Sequence, residues 1–260
     1  MLRPRIIPCL LIHKNGLVKS VGFESYKYIG DPINAVRIFN EKEADELMVL
    51  DIDATANNSE PNYNLIKKIA AECRMPLCYG GGITTVDQAS KIISLGVEKI
   101  SISAAAVEKP SLVAEVAASI GRQSVVVVLD IRKKKGLFSK NYEVTTYNNT
   151  KTSKYDPFQL VELFSDIGVG EIVINSIDND GVMKGYDLDL AKKVKSLLNI
   201  PMTFLGGAGD HQHLSELISQ CGIVGAAAGS LFVFKGKYRA VLINYPDPEQ
   251  KEKIYSSIIS

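Results

Sequence analysis

The feature that most constrains the fold is an internal repeat, in which motifs of the first half return about 120–126 residues later. Val49–Asp53 is matched by Ile174–Asp178, and the glycine turn Gly80–Ile83 is matched by Leu205–Ala208. A repeat of this length indicates two similar units that pack against each other. We therefore expect residues 1–260 to form a single domain with approximate twofold symmetry.

Short β-branched runs alternate with amphipathic stretches along the chain. This alternation predicts a parallel sheet covered by helices. Eight such units in 260 residues match a (β/α)8 TIM barrel. A doubly wound open α/β sheet is the alternative, and the repeat disfavours it. The predicted strands are Ile6–Ile12, Leu47–Leu50, Leu77–Cys78, Ile100–Ile102, Val125–Leu129, Ile172–Ile174, Met202–Leu205 and Ile223–Ala227. The predicted helices are Ala35–Ala44, Asn64–Glu72, Val86–Leu95, Pro110–Ser119, Pro157–Ile167, Leu188–Leu198 and His213–Ser219.

The composition argues against several classes of function. The net charge is +1 and the densest basic run is Arg132–Lys135, so we expect no nucleic-acid partner. No apolar run is long enough to span a bilayer, and Met1–Pro8 lacks an apolar stretch of signal-peptide length. The four cysteines and three histidines lack metal-ligand spacing. We therefore predict a cytoplasmic protein with reduced thiols, without a metal ion, a cofactor or a membrane contact.

Two glycine pairs, one in each half, predict binding sites for phosphate. Glycine lets backbone N–H groups approach an anion closely, and the amino terminus of a following helix adds a favourable dipole. The pairs follow predicted strands 3 and 7, and small residues follow strands 4 and 8, all on the face where barrel enzymes bind substrate. The pattern predicts a phosphorylated small molecule with one phosphate at each end. The residues are Gly81, Gly82, Ser103 and Ala104 in the first half and Gly206, Gly207, Gly229 and Ser230 in the second.

The repeat makes strands 1 and 5 equivalent, but their carboxyl ends differ in chemistry. Strand 5 ends at Asp130, whereas strand 1 ends at Leu11. Because carboxyl ends of barrel strands carry catalytic groups, Asp130 is our candidate catalytic residue. A scaffold suited to acid–base chemistry with two carboxylates here has one. The long segments that follow these strands, residues 13–31 and 132–156, are candidate lids.

Seven further motifs carry a resemblance to a known family. They are Arg5–Cys9, Phe23–Tyr26 with Gly30–Pro32, Tyr79–Ile83, Val97–Val107, Ser176–Gly181, Gly206–Gly209 and Ala228–Phe232. Together they span nearly the whole chain and resemble the cyclase subunit of imidazole glycerol phosphate synthase. The resemblance implies a barrel that forms a heterodimer with a glutaminase and receives ammonia from it. That ammonia serves to cleave and cyclise a ribulosyl aminoimidazole nucleotide with two phosphates.

The resemblance also implies roles for residues at the mouth of the barrel. The family uses aspartates at the ends of strands 1 and 5 as general acid and base; Asp130 matches the second, and Leu11 replaces the first. Leucine cannot transfer a proton, and a positioned acid or base typically contributes about 10²–10⁴-fold to the rate. Lys19 matches the family's lysine in the first loop, and Asn175 stands where the family usually has threonine. Independently of the resemblance, Asp51 and Asp53 share a strand face; such a pair could serve metal binding or acid–base chemistry, and we interpret them as substrate-loop residues.

At the opposite end of the barrel, four charged residues match the family's ammonia gate. Buried charges are costly unless they are paired, and two cations with two anions form a neutral ring. A rim of surface ion pairs is the alternative interpretation. Glu98 and Gln123 match positions near the partner-facing side, which implies a docked glutaminase. The gate residues are Arg5, Glu46, Lys99 and Glu171.

Four functional hypotheses follow. We favour a diverged cyclase-type subunit that resembles second-copy members of the family in bacterial surface-polysaccharide gene sets. Its implied role is to supply ammonia to a separate amidotransferase that amidinates a sugar of lipopolysaccharide or a related glycan. The orthodox cyclase of histidine biosynthesis is the main alternative. A related sugar isomerase also needs a carboxylate after strand 1, so Leu11 counts against it. A non-catalytic ammonia conduit that activates the glutaminase is the last alternative.

Overall fold

The computed structural model describes residues 3–134 and 141–256 and contains the predicted (β/α)8 TIM barrel. Each parallel strand pairs with the next, and the last pairs with the first, so the sheet is closed. The strands are β1 Arg5–His13, β2 Leu47–Asp51, β3 Leu77–Gly80, β4 Lys99–Ile102, β5 Val125–Lys133, β6 Glu171–Ser176, β7 Met202–Leu205 and β8 Gly225–Ala228. Each predicted run overlaps one of these strands, which confirms the predicted fold.

The helices cover the outside of the barrel and also form parts of its mouth. They are α1 Pro32–Glu41, α2 Ile52–Ala56, α3 Tyr63–Glu72, α4 Val86–Ser94, α5 Ala104–Glu108, α6 Pro110–Ile120, α7 Pro157–Ile167, α8 Leu188–Leu197, α9 His211–Cys221, α10 Ser230–Val233 and α11 Pro248–Tyr255. All seven predicted helices are present. The first begins earlier than predicted, because Asp31 caps it and Pro32 fits its first turn. Within the described ranges, no helix is long and apolar enough to cross a membrane.

Alternation along the strands separates two apolar layers. In β1, Ile7 and Cys9 face the barrel interior, whereas Ile6 and Leu10 pack against the helices. This follows from the two-residue period of a strand, which sends successive side chains to opposite faces. The interior layer comprises Ile7, Cys9, Met48, Cys78, Val126, Val128, Val173, Leu205 and Ala227. The same period points Leu11 of β1 and Asp130 of β5 into the carboxyl-terminal mouth.

The two long segments after β1 and β5 form antiparallel extensions of those strands. After β1, strands Gly16–Val21 and Glu24–Gly30 form a hairpin whose first strand pairs with the upper end of β1. After β5, strand Tyr142–Thr146 pairs with the upper end of β5. These extensions lie at the carboxyl-terminal mouth of the barrel. The sequence periodicity did not predict the hairpin after β1.

Candidate active site at the barrel mouth

A cavity of about 230 Å³ opens at the carboxyl-terminal end of the barrel. Its lining includes both halves of the molecule but is dominated by the first half. The predicted site residues that line it are Lys19, Asp51, Gly81, Gly82, Ser103, Ala104, Asp130, Asn175 and Gly229. Most of the predicted mouth residues therefore converge on one space.

Asp130 is one of the carboxylates that line this cavity. It follows the buried run of β5, and its backbone lies beside Asn175 of β6. The Asn175 side chain donates a hydrogen bond of 2.8 Å to Asp130 Oδ1, and the Ser103 hydroxyl also hydrogen-bonds to the carboxylate. Burial raises the pKa of Asp130 from 3.8 to about 7, with a smaller contribution from the nearby Asp180 charge, and the hydrogen bonds oppose the shift. The group can therefore gain or lose a proton near neutral pH.

Three leucine side chains also line the cavity. Leu11 lines the same cavity as Asp130, together with Leu50 of β2 and Leu205 of β7. We refer to Leu11, Leu50 and Leu205 as the leucine collar. Leu11 and Leu50 contact the apolar interior layer, and Leu205 belongs to it. Leu11 occupies the position on β1 that is equivalent to Asp130 on β5, and its side chain cannot transfer a proton.

The two glycines of the first predicted phosphate site form a tight turn with positive φ angles after β3. Gly81 has φ of +119°, and a Cβ there would lie 2.3 Å from the carbonyl oxygen of Asp51, so only glycine fits. The Gly82 N–H donates to Thr55 Oγ1 at 3.1 Å. Ser103 precedes α5, and its own side chain makes no capping hydrogen bond to the first turn of this helix. Backbone N–H groups at the start of a helix are donors of the kind that can bind phosphate.

The second predicted phosphate site is only partly within the cavity. Gly229 lines it, whereas Gly206, Gly207 and Ser230 do not. Gly207 has φ of +119°, and a Cβ there would lie 2.1 Å from the Gly185 carbonyl oxygen. The segment after β6 therefore packs closely on this glycine turn, and the two halves are not equivalent at the mouth.

A buried ion pair explains part of this asymmetry. Lys19 Nζ lies 2.6 Å from Asp180 Oδ1, and both side chains are 6 % exposed. A Cβ added at Gly229 would lie 2.8 Å from Lys19 Cε, so the lysine stem lies over this end of the cavity. The Gly22 N–H also donates to the Asp180 carbonyl at 2.9 Å. Asp180 is a site residue that the sequence pattern did not predict, although it lies within the motif Ser176–Gly181.

Asp51 lines the cavity but also has a local structural task. Its Oδ1 accepts from the backbone N–H groups of Asp53 at 3.0 Å and Ala54 at 3.1 Å, which caps α2. Burial raises the pKa of Asp51, and these two hydrogen bonds oppose the increase. The backbone of α2 thus fixes the position of the Asp51 carboxylate. Strand periodicity alone does not predict this capping role.

The four predicted gate residues form a closed ring of ion pairs at the amino-terminal end. Arg5 pairs with Glu46 and, at 2.8 Å, with Glu171. Lys99 Nζ lies 2.8 Å from Glu46 Oε1 and 3.0 Å from Glu171 Oε2. The two carboxylates are 4 % exposed, and Thr203 donates a further hydrogen bond to Glu171. Each buried charge is compensated, which a rim of surface ion pairs would not require.

Glu98 and Gln123 also lie toward the amino-terminal end. Glu98 directly precedes β4 and accepts from the Leu77 N–H at 2.8 Å, at the start of β3. Gln123 lies in the turn Arg122–Ser124 that leads into β5. Both residues are exposed. The structure therefore places them on the same end as the charged ring.

Titration of Asp130 gives a testable consequence of its burial. Because its folded pKa is about 7 and its ordinary value is 3.8, the folded protein holds a proton that the unfolded chain releases between these values. The Asp130 contribution to stability therefore falls as pH rises from 4 to 7 and then stays constant. We expect Asp130→Asn and the parent to have the same free energy of unfolding in urea near pH 4. Above pH 7, the free energy of unfolding of Asp130→Asn should be the higher of the two. An equal difference at both pH values would contradict the raised pKa.

Comparison with known proteins gives the family. Residues 5–239 match the family model described as histidine biosynthesis protein. The chain is 56% identical over 253 residues to a Vibrio vulnificus protein with the provisional name imidazole glycerol phosphate synthase subunit hisF3, covering 97% of this chain and 96% of the relative. It is 52% identical over 247 residues to the provisionally named subunit hisF2 of Pseudomonas aeruginosa, covering 95% and 97%. It is 35% identical over 232 residues to imidazole glycerol phosphate synthase subunit HisF of Streptococcus mutans, covering 89% and 91%. The chain therefore belongs to the histidine biosynthesis protein family and is a HisF-type member of it.

Proposed function

We propose that this protein is an ammonia-receiving subunit of a glutamine-dependent complex and that its mouth has diverged from the cyclase reaction. The observation that carries the proposal is the contrast between the two ends of the barrel. The charged ring at the amino-terminal end is complete, whereas Leu11 leaves the carboxyl-terminal mouth with one carboxylate, Asp130, at the two equivalent positions.

The amino-terminal end supports entry of ammonia from a partner. The ring of Arg5, Glu46, Lys99 and Glu171 closes the apolar interior of the barrel, and its two cations are partly exposed. A small neutral molecule can enter an apolar interior at lower cost than an ion. Glu98 and Gln123 are exposed at the same end, where the resemblance implies a glutaminase. The proposed heterodimer therefore places the ammonia source directly below the ring.

The carboxyl-terminal end supports a changed use of that ammonia. The leucine collar lowers the polarity of the mouth, and without an aspartate at position 11 the acid–base pair of the family is incomplete. We propose that ammonia is supplied to a separate amidotransferase that amidinates a surface-polysaccharide sugar. The relatives at 52% and 56% identity bear provisional names with the suffixes hisF2 and hisF3, as expected for second-copy subunits.

The orthodox cyclase is the second candidate, and one observation favours it. The first phosphate site, Asp130 and Lys19 all line one cavity, as a phosphorylated nucleotide substrate requires. In that case Asp130 would act without a second carboxylate on β1. The same set of residues is also compatible with binding of a phosphorylated ligand that only regulates a glutaminase.

The deciding experiment is turnover of the histidine-pathway ribulosyl nucleotide by the purified chain, with excess ammonium salt as nitrogen source. This design bypasses the glutaminase and tests the mouth alone. We expect binding of the nucleotide without turnover, or turnover about 10²–10⁴-fold below that of an orthodox cyclase. Turnover equal to that of an orthodox cyclase measured in parallel would reject the diverged-subunit proposal and establish the cyclase.

A further inference from the structure

One oxygen acceptor in the lining of the cavity, Asn175 Oδ1, is not matched by a donor among the described residues. The Asn175 amide N–H₂ donates to Asp130 Oδ1, which fixes the orientation of the amide. Its Oδ1 atom is then buried without a hydrogen-bond partner among the described residues. Asn175 is 5 % exposed and lines the cavity. A buried acceptor without a donor costs free energy, and a ligand that carries N–H or O–H groups would satisfy it.

The adjacent carboxylate has no cation of its own. The nearby cation, Lys19, is paired with Asp180 at 2.6 Å. Within residues 3–134 and 141–256, Asp130 takes part in no ion pair, and its contacts are the neutral Asn175 and Ser103 side chains. A carboxylate in partly apolar surroundings is stabilised most by a small cation that donates hydrogen bonds.

The surroundings limit the size and polarity of that cation. Leu11, Leu50 and Leu205 line the same cavity, and below them lies the apolar interior of the barrel. An aspartate at position 11 would add a second negative charge, which leucine does not. Of the neighbouring carboxylates in the lining, Asp180 is paired with Lys19 and Asp51 caps α2, so one monovalent cation would compensate the Asp130 charge.

We propose that Asp130 and Asn175 form a binding station for ammonium at the exit of the barrel, with the Asp130 carboxylate and Asn175 Oδ1 as acceptors. Ammonium offers four N–H donors around one positive charge and is small enough for the space above the leucine collar. Ammonia that arrives while the Asp130 carboxyl is protonated takes up that proton, which yields the same ammonium–carboxylate pair. This inference rests on the proposed delivery of ammonia, because the station lies where the interior of the barrel opens into the mouth.

The test is an NMR titration of the isolated full chain with ammonium chloride, following the Asn175 side-chain amide and the Asp130 carboxyl carbon. Sodium chloride and tetramethylammonium chloride at the same ionic strength serve as control titrations. We expect saturable shifts at both groups with ammonium and no saturable shift with either control salt. Asn175→Thr, which removes the amide acceptor, should weaken ammonium binding by about tenfold.

A matched variant in the same cavity controls for indirect effects. Asn148 also lines the cavity, but its amide donates to the Ile52 carbonyl at 2.8 Å. Asn148→Thr should therefore leave the ammonium titration unchanged. Equal effects of the two variants, or equal shifts with sodium, would overturn the station. Tighter binding of methylammonium or acetamidinium than of ammonium would instead assign the site to an amino-bearing substrate and also overturn it.

This titration is independent of the proposed function as a whole. It uses no glutaminase and no nucleotide, so a failure of ammonia delivery in the complex would not alter it. Conversely, a chain that shows no ammonium binding could still deliver ammonia through the ring. A negative result in the ammonium titration can therefore be distinguished from a result in the nucleotide turnover assay that rejects the proposed function.

Discussion

Leu11→Asp is expected to raise turnover of the ribulosyl nucleotide, with ammonium salt as nitrogen source, by about 10²-fold or more. The physical reason is positional. Leu11 lies on β1 at the level of the mouth, faces the cavity that contains Asp130, and is only partly buried. An aspartate there would face the same space with a group that exchanges protons. Asp130 and the residues of the first predicted phosphate site line this same cavity.

Leu11→Asn is the matched control for this gain. Asparagine has nearly the same shape and polarity as aspartate but does not act as a proton donor or acceptor in acid–base catalysis. Turnover should therefore rise with Leu11→Asp and stay at the parent level with Leu11→Asn. Equal rates for the parent and both variants, with nucleotide binding retained, would show that divergence of the mouth extends beyond this position. Leu205 and Asn175 would then be the next positions to change.

Glu171→Ala is expected to lower the free energy of unfolding by about 3–5 kcal/mol. Glu171 is buried, pairs with Arg5 and Lys99, and accepts a hydrogen bond from Thr203. Its removal leaves two cations with one carboxylate, Glu46, to compensate them. Urea unfolding at neutral pH measures the loss. The exposed pair Glu249–Lys253, at 2.6 Å within α11, supplies the control, because Glu249→Ala should cost less than about 1 kcal/mol.

The ring also predicts a pH dependence. Burial opposes ionisation of Glu171, but the Arg5 and Lys99 charges prevail and hold its pKa below the ordinary value of 4.5. A carboxylate whose folded pKa is lowered stabilises the protein above the unfolded pKa and loses this contribution as pH falls. The parent and Glu171→Ala should thus differ most in their free energy of unfolding above pH 4.5, and this difference should decrease as the pH falls below that value. A difference that does not change with pH would mean that packing, and not charge pairing, causes the loss.

Much of the fold follows from local sequence signals. Continuous β-branched runs such as Val125–Leu129 predict buried parallel strands, and helix caps such as Asp31 before Pro32 mark where helices begin. The internal repeat turned these elements into a closed barrel. The short helices α2, α5 and α10 were not predicted, because each has five residues or fewer and so carries little periodic signal. They nevertheless shape the mouth, since they directly follow the strands.

The candidate site was predictable to a lesser extent. Strand periodicity correctly placed Leu11 and Asp130 at the mouth, because i and i+2 residues of a strand share a face. It gave no indication that Lys19 would pair with Asp180, since 161 residues separate them. It also did not reveal that Asp51 caps α2.

The sequence by itself determined the closed eight-stranded barrel, the glycine turns and the unequal ends of strands 1 and 5, because each depends on local periodicity or on residue type. Only the tertiary structure decided how the two halves differ. The Lys19–Asp180 pair joins the hairpin after β1 to the segment after β6 in the second half. Gly206, Gly207 and Ser230 do not line the cavity that Gly81 and Gly82 line. Such long-range pairings depend on which loops meet across the mouth, and that is set by closure of the barrel and not by neighbours in the chain.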